Sequence, residues 1–153
     1  MQLSLFDLTF GISGFLFNIL ISAIFIAQKK GNEKLVSLLG IIWLFLGIPL
    51  FVVFVKYFFE AKDSGLMVAF GLILIYMAVE FLLEYVFKYD FRAKNITHVP
   101  YIILEYLALF GIIVISFDIN PILGWIVSIS FWVLMGSLIY LYAGKGKSNN
   151  LGS

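Results

Sequence analysis

Gly65-Leu-Met-Val-Ala-Phe70-Gly-Leu-Ile-Leu-Ile75-Tyr-Met-Ala-Val-Glu80-Phe-Leu-Leu-Glu84-Tyr-Val-Phe87 is the stretch that decides the fold. It is longer than the roughly 20 apolar residues that cross a hydrocarbon core of about 30 Å. Only two glutamates interrupt its apolar character, and both lie toward its end. There is no alternation of polar and apolar residues of the kind a barrel strand needs. Lipid offers the backbone no hydrogen-bond partner, so each segment must pair its own N–H and C=O groups. A transmembrane helix is the reading that follows.

Four further stretches have the same character: Leu3–Gln28, Leu35–Phe59, Val99–Phe117 and Pro121–Ala143. The expected fold is all-α: a polytopic integral membrane protein, a bundle of five transmembrane helices forming one domain over residues 1–144. Residues 145–153 are expected to be a polar, disordered tail. Of the 153 residues, 63% are hydrophobic and 12% charged. Soluble domains run at about half apolar and about a quarter charged, so a water-soluble enzyme is excluded, and intrinsic disorder with it. Cysteine is absent, which removes disulfides, thiol catalysis and thiolate metal sites. The first stretch is expected to stay as an anchor. It has no basic residue before it, carries Asp7 near its start, and shows no small-residue cleavage site before Gln28.

The breaks carry end signals. Gly31 and Gly144 follow the first and fifth stretches, where a left-handed cap residue is favoured. Asp63 and Ser64 are candidate N-caps of the third, and Asn120-Pro121 opens the fifth with a proline where no donor is needed. Pro49 lies inside the second stretch, lacks an N–H and frees the carbonyl of Phe45; it predicts a kink and is a hinge candidate. Lys29, Lys30, Lys34, Lys88, Arg92, Lys94, Lys145 and Lys147 all fall on one side of a five-span chain. By the positive-inside rule that side is cytoplasmic, with the N-terminus outside and the C-terminus inside, in a plasma (inner) membrane.

Charge within a span costs about 2.5–3.5 kcal/mol at the helix centre on insertion scales, so the acidic residues are the first place to look for function. Tyr76, Glu80, Glu84 and Lys88 are spaced four apart on the third span; Tyr101 and Glu105 are spaced likewise on the fourth. At roughly 1.5 Å per residue, Glu84 lies about 6 Å and Glu80 about 12 Å below Lys88. Glu80, Glu84, Glu105, Tyr76 and Tyr101 are therefore candidate ligand- or proton-binding residues in a pocket between the third and fourth spans. Lys88, Arg92 and His98 are candidates for a cytoplasmic lid above it. The competing structural account is local neutralisation: Glu84 with Lys88, and Glu105 with Arg92 or His98. Two turns below the rim, water reaches a carboxylate poorly and desolvation favours the neutral acid. Glu80 is accordingly expected to carry a proton part of the time.

Glycine and small polar residues read as packing: Gly11, Gly14, Asn18 and Ser22 on the first span, Gly40 and Gly47 on the second, Gly124, Ser128 and Gly136 on the fifth. Asn18 is the first candidate for an exception. No catalytic residue, metal or cofactor is expected. No serine-hydrolase elbow, phosphate loop or zinc-protease motif is present. Nor is there a basic face for nucleic acid. The favoured function is an ion or small-solute transporter or channel subunit that uses the carboxylates of the third and fourth spans. The alternatives are a non-catalytic accessory, assembly or sensor subunit, and a lipid-headgroup enzyme at the cytoplasmic interface. The expected partners are the lipid bilayer and either further copies of the chain or a partner membrane subunit, since five helices were expected to enclose little room; the ligand is unknown.

Overall fold

The computed structural model describes residues 3–87 and 95–143, with the side chains of 95–98 left aside. The described chain is helical, with no strand. Its helices are α1 (Leu5–Lys29), α2 (Glu33–Phe45), α3 (Gly47–Phe59), α4 (Ser64–Phe81), α5 (Asn95–Ile119) and α6 (Pro121–Tyr142), and a π-helical turn, Leu82–Val86, extends α4. Among the described residues there are five spans long and apolar enough to cross a membrane, α2 and α3 together making one of them. This is a small multi-spanning membrane protein. The polar tail and Gly144 lie outside the described residues.

The ends form as the local chemistry dictates. The Ser4 hydroxyl accepts from the Asp7 N–H at 3.1 Å and the Asp7 carboxylate accepts from the Ser4 N–H at 3.0 Å, a reciprocal capping box at the start of α1. At its end Gly31 adopts a φ of +68°. The Asn32 N–H then reaches back to the Ala27 carbonyl at 3.1 Å, so the last orphan carbonyls are satisfied. Asp63, not Ser64, caps α4, accepting from the Gly65 N–H at 2.8 Å. Asn120 caps α6, accepting from the Ile122 N–H at 2.8 Å.

Two boundaries differ from the sequence reading. The second span is not continuous: a single turn residue, Leu46, separates α2 from α3. Pro49 has no N–H for the Phe45 carbonyl, and Leu46 closes a tighter turn by donating to the Trp43 carbonyl at 3.1 Å. The fourth span starts at Val99 as expected but runs on to Ile119, and the helix that carries it, α5, starts earlier, at Asn95, and contains Pro100. Loss of one intrahelical bond near a helix start is tolerated in membrane helices.

The first span is the centre of the bundle. α1 packs along α6 and also meets α2, α3 and α5, while α4 packs on α5 and α5 on α6. Small residues make the approach possible. A Cβ on Gly14 would fall 2.7 Å from Cγ2 of Ile112, and one on Gly11 would fall 2.9 Å from a Leu123 methyl. Asn18, buried, donates to the Ser130 hydroxyl at 2.8 Å and to the Val127 carbonyl at 3.3 Å. On α6 the predicted stripe is corrected. Gly124 is buried against Phe117, but Ser128 is only half-buried and Gly136 is exposed. The buried small polar residues are Ser130 and Ser137. Phe10 and Tyr57 are core residues. The Tyr57 hydroxyl donates to Asp7 at 2.6 Å.

The Asn18–Ser130 bond is the one hydrogen bond described that joins a side chain of α1 to a side chain of α6, and its energy is measurable. Interhelical polar pairs in membranes average ~0.6 kcal/mol and reach ~1.7 kcal/mol. A double-mutant cycle with Asn18→Ala and Ser130→Ala, followed by reversible unfolding in bicelles, is expected to give a favourable coupling in that range. A coupling of zero would leave the α1–α6 attraction to close packing and to the bonds that Asn18 and Lys29 make to backbone carbonyls.

Candidate functional site

Trp43 on α2 marks the floor of a cavity of about 820 Å³. Its indole ring sits 4.9 Å from the Phe17 ring of α1 and 5.6 Å from the Tyr76 ring of α4, and Tyr76 in turn lies 5.8 Å from Tyr101 of α5. Edge-on and tilted contacts of this kind suit aromatic quadrupoles. They tie together four helices at about the middle of the bundle. The deepest lining residues on the remaining walls are Ile21, Leu109 and Leu134. Beyond them Phe10, Phe70, Ile73, Ile112 and Val127 are fully buried and take no part in the lining.

From that floor the cavity runs to the end of the bundle where α1 stops and α2 begins, past Gln28, Asn32 and Glu33. All five spans contribute to its walls, so it is not confined to a groove between the third and fourth. It exists because α2 packs mainly on α1, whereas α3, below the break at Leu46, packs on α1 and α4. α2 thus forms one wall and α4, α5 and α6 the others. One chain encloses this volume, which corrects the expectation that five helices leave little room.

All five candidate ligand residues lie on the wall of this one cavity: Tyr76, Glu80, Glu84, Tyr101 and Glu105. Tyr76 and Tyr101 are buried, Glu80 and Glu105 are half-buried, and Glu84 is exposed. The Tyr101 hydroxyl donates to Oε2 of Glu80. It also lies 3.3 Å from the Tyr76 hydroxyl, so a hydrogen-bonded chain runs from Tyr76 through Tyr101 to Glu80. Lys88 and Arg92 lie outside the described residues, as does the side chain of His98, and with them the proposed lid and the ion pairs of the neutralisation account. Pro49 is half-buried and is not among the lining residues.

The four-residue register holds for Tyr76 and Glu80 and then changes. From Leu82 to Val86 the chain widens into a π turn, closed by the Phe87 N–H on the Leu82 carbonyl at 2.8 Å. The extra residue in that turn rotates the next side chains. Glu84 is exposed on the cavity wall, while Tyr85 is half-buried and faces α2. Its hydroxyl oxygen occupies the space beside Gly40, 2.6 Å from where a Cβ would stand.

Sequence reasoning missed the contribution of α2. Trp43 is 3% exposed, and its indole Nε1 has no hydrogen-bond partner among the described residues. Glu33, the first residue of α2, is a fourth carboxylate on the wall. The spacing of residues on the third and fourth spans carries no trace of either; the packing of Trp43 on Tyr76 and of Tyr85 beside Gly40 brings α2 to that wall. Among the described residues no three His, Cys, Asp or Glu side chains are grouped closely enough to hold one metal ion. Comparison with protein-family models, with curated proteins and with solved structures found no match.

Gly40→Ala tests the contact between α2 and the π turn. The added methyl meets only the far end of the half-buried Tyr85 side chain, which has room to move, and alanine favours helix over glycine by roughly 0.5–1 kcal/mol. The variant is expected to fold with unchanged or slightly raised stability. Tyr85 is expected to become more reactive to nitration, read by peptide mass spectrometry. Unchanged Tyr85 nitration would show that the hydroxyl does not rest on Gly40.

Proposed function

We propose that this protein is a subunit of a transporter or channel that takes an ion or small solute into the half-depth cavity and holds it there. The observation that supports this reading is the cavity itself. It is open at one end, floored by aromatic rings near the middle of the bundle, and lined by Glu33, Glu80, Glu84 and Glu105. Ligand sites are typically of ~300–1,000 Å³, mostly apolar, with a few convergent polar groups. Intramembrane carboxylates mark ion and substrate pathways. In this scheme Glu80, joined to Tyr101 and Tyr76, and Glu105, one turn beyond Tyr101 on α5, are the charged groups a cargo meets before the aromatic floor, and that floor is the barrier that a second conformation would have to open. The break at Leu46 supplies a place for α2 to move against α3, which is the role we propose for Pro49.

Lys29, Lys30 and Lys34 lie at the cavity's open end of the chain. By the positive-inside rule we place that end in the cytoplasm, in a plasma (inner) membrane, with the N-terminus outside. The bilayer is the proposed cover of the outer faces, a second copy or a partner membrane subunit being the other candidate. No observation of comparable weight favours an accessory or sensor subunit or a headgroup enzyme.

An impermeant amine-reactive label applied to intact cells is expected to reach Lys62, in the turn between α3 and α4, and to spare Lys30. The reverse pattern would invert the proposed orientation.

The transport reading is tested by solid-supported-membrane electrophysiology on proteoliposomes, with sodium, potassium, methylammonium and choline as cargo. At least one cation is expected to give a saturable current. Glu80→Gln should fold with an unchanged helical spectrum and lower that current at least tenfold, since an amide keeps the shape and hydrogen bonding but not the charge. Absence of current with every cation, or full current in the folded Glu80→Gln protein, would overturn the proposal.

A further inference from the structure

We propose that the cavity has a second entrance, a slit between α2 and the π turn that opens sideways to the bilayer and admits molecules dissolved in it, with Tyr85 as its latch. The inference concerns the route into the cavity and not its cargo; it rests on the mobility of α2 at Leu46. The weak hold on α2 is the first observation. No residue from Glu33 to Ile42 is buried, and Trp43 is the single buried residue of the helix. α1, by contrast, has buried residues from Phe10 to Ala27. Elements with few buried contacts are the ones that open most readily. α2 also has a pivot at each end: the turn at Gly31, with a φ of +68°, and the single residue Leu46 that separates it from α3. A segment between two such points can roll against α1 while the α1–α6 pair stays packed.

The second observation is where Tyr85 stands. On one side it lines the cavity. On the other its ring stacks on Phe81, with centroids 6.2 Å apart and planes 16° from parallel, and Phe81 is 47% exposed. Tyr85 therefore lies between the cavity and the apolar outer face. Its hydroxyl rests in the notch left by Gly40. Among the described residues, Tyr85 alone supplies atoms from outside α2 within 4 Å of the place a Cβ would take there. One turn below, the Trp43 ring meets Tyr76 at the floor. Toward Glu33, α2 runs on for about 10 Å beyond Gly40, at roughly 1.5 Å per residue, and buries nothing. Leu38 and Ile41 on α2, and Leu82 next to Phe81, are exposed apolar side chains. Lipid tails are as apolar as these, so a molecule dissolved in the bilayer reaches the slit without crossing water. The π turn sets Tyr85 toward α2, and such turns inside α-helices are frequent at functional sites. The third observation is Trp43. Its Nε1 is enclosed and has no hydrogen-bond partner among the described residues. A buried donor without a partner costs stability, and a roll of α2 that uncovers the indole relieves that cost.

The experiment uses the full chain in nanodiscs. Trp125→Phe with Trp132→Phe leaves Trp43, which is 3% exposed, as the sole indole. The chain has no cysteine, so Gly40→Cys with Tyr85→Cys on that background introduces the only thiols, which a short bis-thiosulfonate joins. Trp43 emission is compared between ordinary phosphatidylcholine and phosphatidylcholine brominated on its acyl chains, a contact quencher of indoles. The joined protein is expected to show at least twofold less quenching than the same protein with its two thiols capped separately. Tyr85→Ala alone on the single-tryptophan background is expected to raise quenching at least twofold with an unchanged helical spectrum. Equal quenching in joined and capped protein overturns the side entrance, and that comparison decides alone if Tyr85→Ala does not fold. Unchanged quenching in folded Tyr85→Ala overturns Tyr85 as the latch. Neither result touches the mouth at the end of the bundle or the transport reading, which the current in proteoliposomes tests separately.

Discussion

The close approach of the first and last spans is the constraint on which the rest of the molecule depends. In lipid there is no hydrophobic force between helices, so association rests on contact area and a few polar bonds. α1 gains that area by presenting Gly11, Gly14, Asn18 and Ser22 to α6 and α5, where a side chain at either glycine would meet Leu123 or Ile112. The chain's N-terminal helix thus lies at the centre and the later ones surround it. Lys29 adds a tie at the end of the pair. It donates to the Ala143 carbonyl at 2.8 Å and lies 4.1 Å over the Tyr140 ring, so a helix-end cation satisfies the last carbonyls of its neighbour.

A central α1 also determines where the cavity can be. α2 and α3 are two halves of one span with different neighbours, because the turn at Leu46 separates them. α3 belongs to a filled half of the bundle in which Phe54, Phe10 and Tyr57 surround Phe70, with ring centroids 5.5, 5.1 and 6.1 Å from it. α2 belongs to a half in which the facing helices stand off. The proline is in the sequence, but its consequence is three residues upstream, and the space it opens is filled from both sides by rings at Trp43 and Tyr76.

The spans and caps were legible because lipid leaves few options: length, apolar character and cap residues sufficed for all five spans and for Gly31, Asp63 and Asn120. The cluster of Tyr76, Glu80 and Tyr101 was legible for the same reason, since a regular helix repeats its face every four residues. What failed were features decided by tertiary contact. Ser128 and Gly136 looked like a packing stripe, yet the face of α6 that meets α1 carries Ser130, and in lipid a small residue is tolerated on either face. The π turn has no composition signal, and it sets Tyr85 toward α2. The wall supplied by α2 was illegible because Trp43 and Glu33 are far in sequence from the carboxylates they face.

Packing energy separates a structural account of the cavity from a functional one. A space of about 820 Å³ that opens at the end of the bundle is too large for its walls to close by small shifts of packed side chains. The space is therefore occupied by water, lipid or solute, and its walls say which. Lipid tails would fill a dry apolar wall, but here Gln28, Asn32 and Ser37 join the acids along the length of the opening. Polar groups along an opening to the surface are of the kind that water can satisfy and exchange at. A bundle selected only to hold a partner in place would gain by replacing Glu80 and Tyr101 with packed leucines, since a buried polar pair is rarely more stable than an apolar one of the same volume. Under the proposed transport reading, a hydrogen-bonded acid beside aromatic rings at this depth, in a space that reaches the surface, serves an occupant that changes.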